Sequence, residues 1–199
     1  ARRRLCGRNG RRRDKAKRLE KKMEFRRMTS AGHPDYAKAM ALYRSSFPEH
    51  ELREEASQEK IMGHPQYHFD GVYDGDCWAG LILYWETEKF LYVEHFCIFP
   101  ELRGRKYGQR ALEKLREKGK TVILEIDPPV EELSVRRKGF YERCGFRANP
   151  YAHVHPACYR ECEGHRLAVM FRPEKLTGKQ YDDFAAYLRR VVMKDAFEA

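Results

Sequence analysis

Apolar residues recur along this chain with two alternating periods, and that alternation sets the expected fold. Tyr36, Met40, Tyr43 and Phe47 fall at helical spacing, so Asp35–Ser46 is expected to be a helix that Pro48 ends. A second, more polar helix is expected from about Glu51 to Met62, closed by Gly63-His64-Pro65. Phe69–Tyr73 and Cys77–Trp85, joined by Asp74-Gly75-Asp76, predict a β-hairpin. Phe90–Phe99 predicts a third strand ended by Pro100, and Gly104–Lys118 a helix with Leu112 and Leu115 facing inward. Thr121–Ile126 is apolar throughout except for its first residue and Glu125, the pattern of a strand buried on both faces. A short helix over Ser134–Cys144, a strand over His165–Phe171 and a terminal helix opened by a Thr177/Gln180 capping box complete the prediction. Strands that alternate with helices in this way define an α/β (α+β) domain.

Composition adds one qualification. The 199 residues carry a formal charge of +10, which by itself would suggest a nucleic-acid partner. All of that excess lies in residues 1–22, where eight Arg and four Lys face only Asp14 and Glu20; residues 23–199 balance 28 basic residues against 28 acidic ones. The segment has too few apolar residues to bury a face and is expected to be disordered or a loose helix. It reads either as a phosphate- or partner-gripping arm or as residues upstream of a natural start at Met23, because Arg18-Leu19-Glu20-Lys21-Lys22 is what a purine-rich ribosome-binding site would encode. With a neutral body, nucleic acid is not the expected partner. No apolar run spans a bilayer and no signal-peptide pattern follows the arginines, so a soluble cytoplasmic protein without a membrane partner is expected. Six cysteines in such a chain are expected to be reduced thiols.

Two stretches carry candidate chemistry. Arg103-Gly104-Arg105-Lys106-Tyr107-Gly108 lies between a strand and a helix, where unpaired backbone N–H groups and the helix dipole suit an anion such as a pyrophosphate. The same residues also read as an ordinary C-cap and solvated face. Phe140-Tyr141-Glu142-Arg143-Cys144-Gly145-Phe146 ends a short helix at an αL glycine, with Tyr141 able to donate a proton. His153, His155, Cys158, Cys162 and His165 are numerous enough for a zinc site, but their spacing is not that of paired metal-binding loops, and no metal is expected.

Together and in this order, Ile98–Gly108 and Phe140–Phe146 resemble the GNAT family of acyl-CoA-dependent N-acetyltransferases, including a little-characterised bacterial subgroup. The resemblance covers most of Phe25–Arg172. It implies a mostly antiparallel sheet whose fourth and fifth strands splay apart, with acetyl-CoA as cosubstrate. It further implies that Phe96, Cys97 and Ile98 hydrogen-bond the pantetheine arm, while Arg103, Gly104, Arg105, Lys106, Tyr107 and Gly108 cradle the pyrophosphate. Lys106 departs from the family pattern, which has glycine there. Tyr141 matches the general acid. Glu125 and Glu94 are the candidate bases, Glu125 preferred for its more apolar strand, each with a salt bridge to arginine as the competing explanation and with water as the alternative base. His153, His155 and Tyr159 fall on the expected acceptor side. The implied activity is acetyl transfer to a primary amine of a small molecule or peptide, with a non-catalytic CoA-binding or regulatory module as the alternative. A homodimer is compatible with it. The chain divides on this reading into the extension 1–22, an acyltransferase domain 23–175 and a helix 176–199 packed on that domain.

Overall fold

The computed structural model describes residues 23–157, 163–194 and 196. The basic extension, Cys158, Tyr159 and Cys162 therefore lie outside the described residues. Its elements are β1 (Met23–Met28), α1 (Tyr36–Ser46), α2 (Glu55–Met62), β2 (Tyr67–Asp74), β3 (Cys77–Glu86), β4 (Phe90–Ile98), α3 (Tyr107–Arg116), β5 (Thr121–Ile126), α4 (Glu132–Arg143), β6 (Arg147–Ala148), β7 (Val154–His155), β8 (His165–Arg166), β9 (Ala168–Arg172) and α5 (Gly178–Tyr187).

Seven strands form one sheet in the order β1-β2-β3-β4-β5-β9-β6, and β7 pairs with β8 as a separate ribbon. Every pair in the large sheet is antiparallel except β4–β5, which is parallel. The alternation of side chains along the strands feeds two cores, one on each face of the sheet. One face buries Leu83, Trp85, Tyr92 and Ile123 beneath α1, α2 and α5; the other buries Ile82, Tyr84, Val122 and Leu124 with Ala111, Leu112 and Tyr141 of α3 and α4. The terminal segment belongs to the first core through Phe184, Leu188 and Val192. Thr177 and Gln180 form the expected capping box, and Gly145 takes the left-handed stop at φ 85°.

The structure differs from expectation at several elements: α3 starts at Tyr107 and not at Gly104, because Lys106 is left-handed, and the short strands β6 and β7 have no counterpart in the hydrophobic pattern. Met23–Met28 forms β1, a strand the hydrophobic pattern does not predict, because its interior mixes arginine with phenylalanine. It makes Phe90–Ile98 the fourth strand, as the family resemblance requires. The second helix starts at Glu55, because Glu49–Glu51 forms a separate tight turn and Arg53 is drawn inward. The strand expected over His165–Phe171 divides at Leu167, its first part pairing with β7 and its second with β5 and β6. The terminal helix relaxes into a π-helical turn over Leu188–Val192.

One irregularity creates the opening on which function depends. In β4, His95 faces Leu83 and Val93 faces Tyr84, so Glu94 is an extra residue forming a β-bulge. β4 pairs with β5 only over Phe90–Val93. Beyond that point β4 continues along β3 to Ile98, while Glu125 and Ile126 of β5 pair only with β9. The sheet therefore splits between its fourth and fifth strands.

Candidate active site

The split opens into a cleft of about 870 Å³. Val93–Ile98 line one side and Leu124 and Glu125 the other, with Phe140 and Tyr141 of α4 and the turn before α3 completing it. A much smaller pocket of about 70 Å³ adjoins it, lined by Tyr92, Asp127, His155 and His165. Glu51, Glu94, His95, Glu125 and Arg137 border both spaces.

The turn explains itself from its backbone. Gly104 has φ 76°, and Lys106, the residue before α3, has φ 64° and ψ 8°. Lys106 thus adopts the left-handed conformation that glycine takes without strain, at a cost of roughly 1–2 kcal/mol. Its side chain is exposed, so the departure from glycine preserves the course of the main chain. The first N–H groups of α3 have no partner within the helix and carry its positive dipole end. Arg103 folds back, its Nε donating to the Ile98 carbonyl at 3.2 Å. At Gly108 a Cβ would lie 3.1 Å from Phe140 Cζ, so a side chain there would narrow the cleft. A shaped groove that leads to backbone amides at a helix start fits a pyrophosphate on a flexible arm.

The two candidate carboxylates have different surroundings. Glu94 accepts from Arg53 Nε at 3.0 Å and from Trp85 Nε1 at 2.9 Å. Arg53 itself is 4% exposed and also donates from Nη2 to the Val192 carbonyl at 2.5 Å, tying the bulge to the terminal segment. Burial pushes the Glu94 carboxyl up, but the Arg53 guanidinium, with His95 and the Trp85 bond, holds it below the usual carboxylate range. Glu94 is a buried, neutralised anchor.

Glu125 is bonded by the Tyr92 hydroxyl and by His153 Nε2, while His155 Nε2 lies 3.7 Å from its Oε2. His153 is held at its other nitrogen by Tyr181 Oη, 3.0 Å away, and Tyr181 donates to the Ala152 carbonyl. Burial again raises the Glu125 carboxyl, and the His153 hydrogen bond with the nearby imidazoles and Tyr92 brings it below its ordinary value. A carboxylate so strongly bonded stays ionised; it attracts a cation better than it removes a proton.

Tyr141 reaches the cleft from the opposite face, its ring 5.2 Å from Phe140 and 5.6 Å from Phe146, centre to centre. Burial pushes its hydroxyl up to about 12, partly opposed by Arg137 and reinforced by the Cys144 and Cys97 thiols. It is protonated at neutral pH, as a proton donor must be.

Phe96, Cys97, Ile98 and the turn residues Arg103, Gly104, Lys106, Tyr107 and Gly108 all border the cleft; Arg105 is exposed beside them. His155 borders the small pocket, whereas His153 lies behind Glu125. Tyr159 is outside the described residues. Among the described residues, no three His, Cys, Asp or Glu side chains are arranged to hold a metal ion. Arg53, Trp85 and Tyr181 were not legible as site residues, since nothing local in sequence marks a partner 41, 9 or 28 residues away. Tyr92 carried a faint signal, as a hydroxyl in an apolar strand two residues before Glu94.

Comparison with known proteins agrees with this geometry. The Acetyltransferase (GNAT) family model matches residues 36–146. A structure from Bacteroides thetaiotaomicron, assigned to the GNAT family of acetyltransferases, is 30% identical and superposes with a TM-score of 0.80, covering 85% of this chain and 98% of that one. YjbC of Bacillus subtilis (strain 168), assigned as an acetyltransferase, is 27% identical over 105 residues, 51% of this chain. The match spans about half of that relative's length, 52%. A B. subtilis acetyltransferase solved in complex with CoA shares the fold at a TM-score of 0.50 and 13% identity, over 77% of this chain and 98% of that one. The fold is the one shared by these solved acetyltransferases. The chain belongs to the GNAT acetyltransferase family.

Proposed function

We propose that the protein transfers the acetyl group of acetyl-CoA directly to a primary amine that enters from the small pocket. One observation carries this reading: Glu125 and Tyr141 border a single cleft that ends at the amide-lined turn. The backbone at Gly104–Gly108 receives the pyrophosphate, and the edge of β4 at Phe96–Ile98, which β5 leaves uncovered, lies along the pantetheine arm. Acetyl-CoA supplies the activated acyl group. Glu125 attracts the acceptor ammonium and holds its nitrogen near the thioester, and this proximity supplies much of the rate. Tyr141 gives its proton to the departing sulfur.

The small pocket also indicates the kind of acceptor. About 70 Å³ admits an amino group with a few carbons, and carboxylates at Glu51 and Glu125 border it, favouring a cationic amine, while Asp127 there is paired with Arg137. The alternative of a non-catalytic CoA-binding module rested on Lys106, and the glycine-like backbone there weakens it.

Calorimetric titration with acetyl-CoA, together with thiol release in the presence of primary amines, tests the proposal. Binding with amine-dependent thiol release is expected. Binding without turnover on any amine would favour the non-catalytic module, and absence of acetyl-CoA binding would exclude both.

A further inference from the structure

Three imidazoles near Glu125 differ in which nitrogen each has left to use. His153 is engaged at both nitrogens, by Glu125 and Tyr181. His95 gives Nε2 to the Glu51 carbonyl at 3.1 Å, and its Nδ1 is fully enclosed. At His155, Nδ1 lies 2.6 Å from the Pro156 carbonyl. A carbonyl only accepts, so the ring proton of neutral His155 sits on Nδ1 and the lone pair on Nε2. That nitrogen is 3.7 Å from Glu125 Oε2, too far for a hydrogen bond yet close enough for one ammonium between them to reach both.

We propose that His155, and not either carboxylate, takes the proton from the acceptor ammonium at Nε2. The inference rests on the acetyl-transfer reading above and assigns its missing base. Glu125 holds the ammonium; an N–H proton passes to Nε2, producing a neutral amine and an imidazolium paired with Glu125. The amine lone pair forms the C–N bond and the C–S bond breaks, its electrons staying on sulfur. Sulfur takes the Tyr141 proton. The second proton shed by nitrogen replaces that one through solvent, and the imidazolium proton leaves to solvent as the net product.

Charged and titratable groups surround His155. From β5 come Glu125 and, just beyond, Asp127, which is paired with Arg137 of α4 at 2.7 Å; from the turn before α2 comes Glu51. Glu94 of β4 is already neutralised by Arg53, and the neighbouring His95 is held down to about 4 by burial, against the pull of Glu94. His165 across the ribbon is lowered by burial and by His155 itself.

Two measurements test the assignment. Nitrogen-15 NMR of the histidine rings, on protein saturated with acetyl-CoA, is expected to show His155 protonated at Nδ1; protonation at Nε2 of the neutral ring would overturn it. The second compares ethylamine, a cation at neutral pH, with trifluoroethylamine, which arrives neutral and needs no base. His155→Asn keeps a donor for the Pro156 carbonyl, so the ribbon stays anchored. It is expected to lose on the order of 100-fold in kcat/KM with ethylamine and less than about fivefold with trifluoroethylamine. Equal losses with both amines would show a structural role and refute the base. Acetyl-CoA binding by calorimetry separates the failures: intact binding with the wrong tautomer removes only His155, whereas lost binding removes the parent reading.

Discussion

Replacing Glu94 by glutamine isolates what the β4 bulge is for. The substitution keeps the shape of the side chain and removes its charge, leaving the Arg53 guanidinium buried beside a neutral amide. Arg53 and Glu94 side chains are 1% and 6% exposed, so solvent cannot compensate. Breaking one partner of such a pair costs about 3–5 kcal/mol. For a chain of this size each kcal/mol lowers the melting temperature by about 2–4 °C, so Glu94→Gln should melt roughly 6–20 °C below the wild type. The sign of the pH dependence follows from the depressed Glu94 carboxyl. Its stabilisation is present above the ordinary carboxylate value and disappears as pH falls through the lower folded value, so the two melting curves should converge in acid. Thermal melts across pH, paired with acetyl-CoA calorimetry at low temperature, measure both effects. The expected result is a large, pH-dependent loss of stability with acetyl-CoA affinity kept within a few-fold. A variant that melts like wild type but no longer transfers acetyl groups would refute the structural role and restore Glu94 as a base.

Three further outcomes follow from the same contacts. Tyr141→Phe should lower kcat by about 100-fold or more while changing acetyl-CoA affinity little, checked by thiol-release kinetics and calorimetry; unchanged turnover would remove Tyr141 from the acid role. Lys106→Gly should relieve left-handed strain and, after the entropy that glycine adds to the unfolded chain, raise stability by about 0.5 kcal/mol, while weakening acetyl-CoA binding several-fold in a salt-dependent way. Asp70 of β2 is 3% exposed with Oδ1 unpaired, and burial pushes its carboxyl up to about 7 against the Tyr84 hydrogen bond and Arg27. A raised folded value stabilises most below the ordinary carboxylate range and loses that contribution as pH rises through 7, so Asp70→Asn should melt above wild type at pH 8 and flatten the profile between pH 5 and 8.

The elements carried by periodicity were legible in sequence. Thr121–Ile126 is a strand with the bounds that its apolar run predicts, and Tyr36–Ser46 and the Thr177/Gln180 box lie where spacing and capping chemistry put them. The split in the sheet was legible only through the family resemblance, because a one-residue bulge at Glu94 leaves no mark on the hydrophobic pattern. Both candidate carboxylates were visible as charges in apolar strands. What separates them is long-range pairing: Arg53 on Glu94, and His153 with Tyr92 on Glu125. Those contacts depend on how α2, β7 and α5 close over the sheet, which local pattern does not encode. His155 shows the same limit, since its usable nitrogen is set by the carbonyl of the next residue and becomes meaningful only beside Glu125.

The central claim is that the gap between β4 and β5 is where acetyl transfer occurs. A crystal structure of the CoA complex tests it most directly. The account predicts the pyrophosphate on the Gly104–Gly108 amides, the pantetheine arm along Phe96–Ile98, and the sulfur within hydrogen-bonding reach of Tyr141 Oη on the side facing Glu125. CoA bound elsewhere, or with its sulfur directed away from Tyr141 and Glu125, would contradict it.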